Sequence, residues 1–150
     1  MTALPPIVRA GLLAGAFALA GCSSSMMPGM SPDQVGLRAT LSGAAEVPPN
    51  DSSGTGQLQA TLDKPTRTLR WDLSYGGLSG PATMAHFHGP AMPGANAPVA
   101  VPIAPPGSPS KGQATLTDAQ MNDLLSGKWY VNVHTAAHPG GEIRGQVLTK

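Results

Sequence analysis

From Leu37 onward the chain alternates apolar and polar residues with a period of two. Leu37, Ala39 and Leu41 are interleaved with Arg38, Thr40 and Ser42, and Leu58, Ala60 and Leu62 with Gln57, Gln59 and Thr61. Leu69, Trp71, Leu73 and Tyr75 follow, interleaved with Arg70, Asp72 and Ser74. Successive side chains of an extended chain leave opposite faces, so each run predicts a strand with one buried face. Asp63 to Arg67 has the turn residues and the length of a hairpin loop. A fourth strand spans Ala82 to His88, with Ala85 and Phe87 on the face opposite His86 and His88, and Gly89-Pro90 ends it. Val99, Val101 and Ile103 predict a fifth, which Pro102 confines to a sheet edge.

The period changes once. Gln113 to Leu116 predicts a short strand, and Thr117-Asp118-Ala119-Gln120 then carries the hydroxyl and amide of a capping box. A short helix should run from there to about Ser126, with Gly127 at its C-terminal cap and Met121, Leu124 and Leu125 as its apolar stripe. Alternation resumes at Trp129, Val131 and Val133 against Tyr130, Asn132 and His134, and Ile143 to Leu148 forms the last strand. Many strands, turn-rich connections and a single helix predict an antiparallel β-sandwich of seven to nine strands. Composition agrees: 19 glycines and 16 prolines among 150 residues, without a repeat, suit tight turns between short strands.

The chemistry concentrates in the histidines. All four lie in two segments, His86 and His88 at the end of the fourth strand, His134 and His138 at the end of the penultimate one. His86 and His88 are two apart and share a strand face, a spacing that suits two ligands of one ion, and His134 is the obvious third donor from a neighbouring strand. Three neutral imidazoles, with water or His138 as a fourth ligand, suit Cu(II) or Zn(II), and the affinity order favours copper. The competing account is that these rings hydrogen-bond loop carbonyls at the edge of the sandwich. Met84 and Met92 read as packing residues beside this cluster. No catalytic residue stands out: Asp118 and Asp123 have no paired base, Ser42, Ser79 and Ser126 lack the context of a nucleophile, and Glu142 and Arg144 read as cross-strand partners.

Arg9 precedes an apolar stretch, Ala10 to Ala20, that is too short to cross a hydrocarbon core needing roughly 20 residues. It ends in Leu19-Ala20-Gly21-Cys22, which resembles the lipobox of bacterial lipoproteins. That resemblance implies a signal peptide over residues 1–21, acylation of Cys22 and, with Ser23 following, an outer-membrane anchor facing the periplasm. Residues 22–35, rich in Ser, Met and Pro, read as a flexible tether, and 36–150 as one domain. Cys22 is the only cysteine, so once acylated it leaves no thiol for a disulfide, a thiolate metal site or a nucleophile. Without Arg9, eight basic residues balance eight acidic ones, and no basic stripe exists to bind nucleic acid.

Two strings resemble the CHRD domain, the module first described in chordin: Ala85-His86-Phe87-His88-Gly89-Pro90-Ala91, and the run from Tyr130 through His134, His138, Glu142 and Arg144 to Val147. Leu41 to Pro49 is similar to the opening of that family. The resemblance spans about residues 36 to 148 and implies a Greek-key sandwich of the superoxide dismutase or immunoglobulin kind. In dismutases a His-x-His pair and a late-strand histidine hold copper while an arginine guides the anion, parts that would fall here to His86, His88, His134 and Arg144. A second metal site, a zinc loop and a disulfide are missing from the sequence, which speaks against dismutase turnover. The expected function is therefore an envelope domain that binds copper or zinc through His86, His88, His134 and His138, for metal buffering or delivery. The alternative is a metal-free module that binds an envelope protein, with superoxide dismutation third.

Overall fold

In the computed structural model, which describes residues 1–2 and 31–150, the chain forms eight strands and one α-helix. Most of the signal segment, Cys22 and most of the expected tether lie outside the described residues. The strands are β1 (Gln34–Ser42), β2 (Thr55–Asp63), β3 (Thr68–Gly76), β4 (Ala82–His88), β5 (Val99–Ile103), β6 (Ser110–Thr115), β7 (Trp129–Thr135) and β8 (Ile143–Thr149). The helix, α1 (Asp118–Leu125), stands between β6 and β7, and one 3-10 turn, Gly43–Ala45, follows β1.

All eight strands join one antiparallel sheet in the order β5-β4-β7-β8-β1-β2-β3-β6. Its two end strands, β5 and β6, touch, so the sheet curls nearly into a barrel. The expected all-β fold with one short helix is thus present, its two layers being halves of a single curved sheet. β1, β2 and β3 form a meander, whereas β4–β7, β8–β1 and β3–β6 pair strands distant in sequence. Pro102 does sit on an end strand.

The alternation places the core. Leu37, Leu41, Leu58, Leu62, Leu69 and Leu73 from β1 to β3 meet Phe87, Trp129, Val131, Val133, Ile143 and Val147 from the other half. Burying side chains of this size contributes roughly 1.5–3 kcal/mol each. Trp71 meets Phe87 edge-on at 5.3 Å between ring centres. α1 closes one end through Leu124, which is fully buried. Its capping box is complete: Gln120 N–H donates to Thr117 Oγ1 while the Thr117 N–H donates to Gln120 Oε1. Gly127 ends it at φ +70°, a left-handed conformation that favours glycine.

Candidate metal centre

β4 and β7 pair so that His86 lies opposite Asn132 and Met84 opposite His134. β7 and β8 pair so that Asn132 lies opposite Arg144. The outward faces of three neighbouring strands therefore present His86 and His88, then Tyr130, Asn132 and His134, then Arg144. An outward face would ordinarily meet water. This one does not, because all seven residues of β7 are buried. The β4–β5 connection covers it: the Ala97 carbonyl meets His88 Nδ1, and Ala95 and Asn96 meet Arg144.

The three rings converge. His86 lies 5.1 Å from His134 and 5.5 Å from His88 between ring centres, and His88 lies 6.4 Å from His134. One nitrogen from each falls within 4.8 Å of the others. The hydrogen bonds fix which nitrogens these are for two of them. His88 Nδ1 is 3.0 Å from the Ala97 carbonyl and His134 Nδ1 is 3.0 Å from the Pro139 carbonyl. A carbonyl only accepts, so both Nδ1 atoms carry the proton and both Nε2 atoms keep a free lone pair. Both lone pairs point to one place. Each Nε2 is 3.0 Å from Asn132 Oδ1, and His134 Nε2 is 3.2 Å from His86 Nδ1. Holding a ligand ring by its outer nitrogen through a backbone carbonyl is the usual way proteins orient metal-binding imidazoles.

Electrostatics favours the ligand form. Burial lowers the pKa of His86, and the charges His134 and His88 would carry lower it further. Burial also lowers that of His88, against the raising influence of its bonds to Ala97 and Asn132. Both rings are therefore held neutral, with lone pairs free, at neutral pH.

Around the cluster the packing is tight. The His88 ring stacks on Tyr130, 4.7 Å between centres and 3° from parallel, and the Arg144 guanidinium lies 3.4 Å from the centre of the Tyr130 ring. Arg144 also donates to Asn96 Oδ1 and to the Ala95 carbonyl. At 2 % exposure it is built into the wall, so it does not stand at the surface as the anion guide that the dismutase likeness implies. Glu46 lies behind Asn132. Burial raises its carboxyl pKa, and the Arg144 charge, the Val47 backbone, the Asn132 amide and the His138 charge pull it back down.

Of the four histidines named from sequence, the structure gathers His86, His88 and His134. His138 is half-buried in the β7–β8 turn and stands outside that group. Its backbone N–H donates to Thr135 Oγ1. Met84, opposite His134, is largely exposed.

Two neighbours were not legible as functional. Asn132 reads as an ordinary outward residue of a strand, and Glu46 as a loop acid. Glu142 also departs from expectation. It precedes β8, and besides Thr135 of β7 it bonds two loop serines: it accepts from Ser52 Oγ at 2.7 Å, Ser79 N–H at 2.7 Å, Ser79 Oγ at 2.6 Å and Thr135 Oγ1 at 2.5 Å. Burial pushes its carboxyl up, but the bonds from Ser79, Thr135 and Ser52 outweigh that and hold it down at about 2. It staples the β7–β8 turn to the segments preceding β2 and β4.

No curated protein and no solved structure matches the chain. The sequence model of one family does, over residues 37–147, a span that takes in every residue of the cluster. With that match covering most of its length, the chain belongs to the CHRD domain family.

Proposed function

We propose that this CHRD domain binds one copper or zinc ion through His86, His88 and His134, and that its role is metal buffering or delivery in the cell envelope. The observation that carries the reading is the convergence of three imidazole nitrogens: the His88 Nε2 and His134 Nε2 lone pairs point to one place, and His86 Nδ1 lies 3.2 Å from the second. A cation at their focus satisfies all three lone pairs together, which one shared ring proton does not. Metal–nitrogen bonds of about 2.0–2.1 Å place tetrahedral ligand atoms roughly 3.4 Å apart; His86 Nδ1 and His134 Nε2 are 3.2 Å apart, and the three nitrogens lie within 4.8 Å of one another. The donor set of neutral imidazoles suits Cu(II) and Zn(II), with copper favoured by affinity order.

The cellular setting rests on the sequence. Acylation of Cys22 after removal of residues 1–21 would tether the domain to the outer membrane, facing the periplasm, where exchangeable metal must be captured or passed on. The test is a thermal melt of metal-free protein with and without one equivalent of Cu(II) or Zn(II). A ligand that binds only the folded state raises the midpoint, by about 2.7 kcal/mol of stability at a free concentration one hundred times its Kd. An unchanged midpoint with both ions contradicts the reading.

A further inference from the structure

The Asn132 carboxamide presents its oxygen to two imidazole nitrogens whose own protons are committed elsewhere, 3.0 Å from each. In a cation-free site this is the unfavourable orientation. Three acceptors face one another, and a turned amide would give its two N–H groups to the two rings instead. The direction of a carboxamide is set by its neighbours, so something on the far side must hold it.

That neighbour is Glu46. It is 5 % exposed, and its Oε1 has no hydrogen-bond partner among the described residues. Burial raises its pKa most, and a hydrogen bond from the Asn132 amide works against that, although Oε1 itself has no well-formed partner. A buried carboxyl oxygen with no other donor in reach draws the amide N–H, so the amide nitrogen turns to Glu46 and the oxygen to the histidines. The backbone leaves room for this pair at Gly141. With φ at +132°, that residue adopts a conformation open to glycine, and a Cβ there would overlap Glu46 Oε1 and lie 2.9 Å from Asn132 Nδ2.

We infer that Asn132 Oδ1 is an additional ligand of the bound cation, and that Glu46 is the positioning residue that turns the oxygen toward it. The inference rests on the metal-binding reading above and specifies its coordination as three imidazole nitrogens and one carboxamide oxygen. Asn132 reaches the focus where His138 does not: it sits on β7, directly opposite His86 and two residues from His134. A hard oxygen donor shifts preference from Cu(I) toward divalent ions, and the buried Glu46 carboxyl holds that donor one residue removed from the ion.

The test uses Co(II), whose visible bands report ligand type and geometry, titrated into the full chain and its variants, with a metal-free melt of each as a check of folding. Asn132→Leu should shift the Co(II) spectrum and weaken binding by about tenfold or more. Asn132→Asp should restore an oxygen donor and recover affinity. Glu46→Leu, which leaves every ligand in place, should move the spectrum toward that of Asn132→Leu, a change that mere loss of stability would not produce. A wild-type spectrum and affinity in Asn132→Leu overturn the inference and leave the three-histidine site standing. Should Asn132→Leu fail to fold, Asn132→Ala decides, because a wild-type spectrum and affinity in that variant also overturn the inference. No uptake of Co(II), Cu(II) or Zn(II) by the wild type overturns this inference and the metal-binding reading together.

Discussion

The outward face of β1, β2 and β3 and the outward face of β4, β7 and β8 belong to one sheet and follow the same alternation, yet only one of them is a site. On the first, Arg38, Thr40, Gln57, Gln59, Arg70 and Ser74 stand in water. On the second, Tyr130, Asn132, His134 and Arg144 are buried, with the β4–β5 connection bonded to Tyr130 and Arg144 and the β7–β8 turn to His134. Strand geometry is common to both, so the difference comes from what lies on top. A polar residue facing water needs no particular partner, whereas a covered one must find its hydrogen bonds within the protein. The covered face meets that demand with carbonyls that fix His88 and His134, a cation–aromatic stack on Tyr130, and a staple through Glu142.

This contrast can be broken most severely at Glu142. Replacing it with alanine leaves the Ser52, Ser79 and Thr135 hydroxyls without their shared acceptor, and should cost on the order of 3 kcal/mol, read as the shift in urea midpoint. Its acid limb gives a second reading. The folded carboxyl sits at about 2, below its unfolded value, so its contribution is full above the ordinary carboxylate range near 4.3 and is lost as pH falls toward 2. Glu142→Gln should flatten that limb of the stability curve.

A smaller effect is expected near neutrality. His86 and His88 have lowered pKa values in the folded protein, so the unfolded chain binds more protons in the window just below about 6.5. Metal-free protein should therefore lose stability as pH falls through that window, and the triple variant His86→Ala, His88→Ala, His134→Ala should lose less. An equal slope in both would show that these rings are not held neutral by burial.

Outside the site, Thr117→Ala removes one half of the capping box of α1 and should cost about 1 kcal/mol in the same denaturant assay. Smallest of all, Gln59→Ala on the open face should change stability by no more than about 0.5 kcal/mol, because its side chain has no partner to lose among the described residues. A larger loss there would mean that the open face is also organised.

The two faces also differ in how far the sequence discloses them. Period-two alternation locates β4 and β5 at their observed ends, the helix with its caps, and the three histidines on outward positions of β4 and β7. It is silent about cover. Nothing local distinguishes Asn132 from Gln59, since both are outward amides on strands, and only the β4–β7–β8 pairing and the overlying connection make the first part of a site. Glu46 and Glu142 were unreadable for a related reason. Their surroundings come from far along the chain: Glu142 bonds Ser52, 90 residues away, and Glu46 meets residues of β7 and β8. The β-sheet register that creates those neighbours depends on the whole fold.

The central claim is that three imidazoles share one cation, and calorimetric titration of Cu(II) into metal-free protein tests it most directly. The account predicts one equivalent bound by the wild type and none by the folded triple variant lacking His86, His88 and His134. Equal uptake by the two proteins, or none by the wild type, would contradict it.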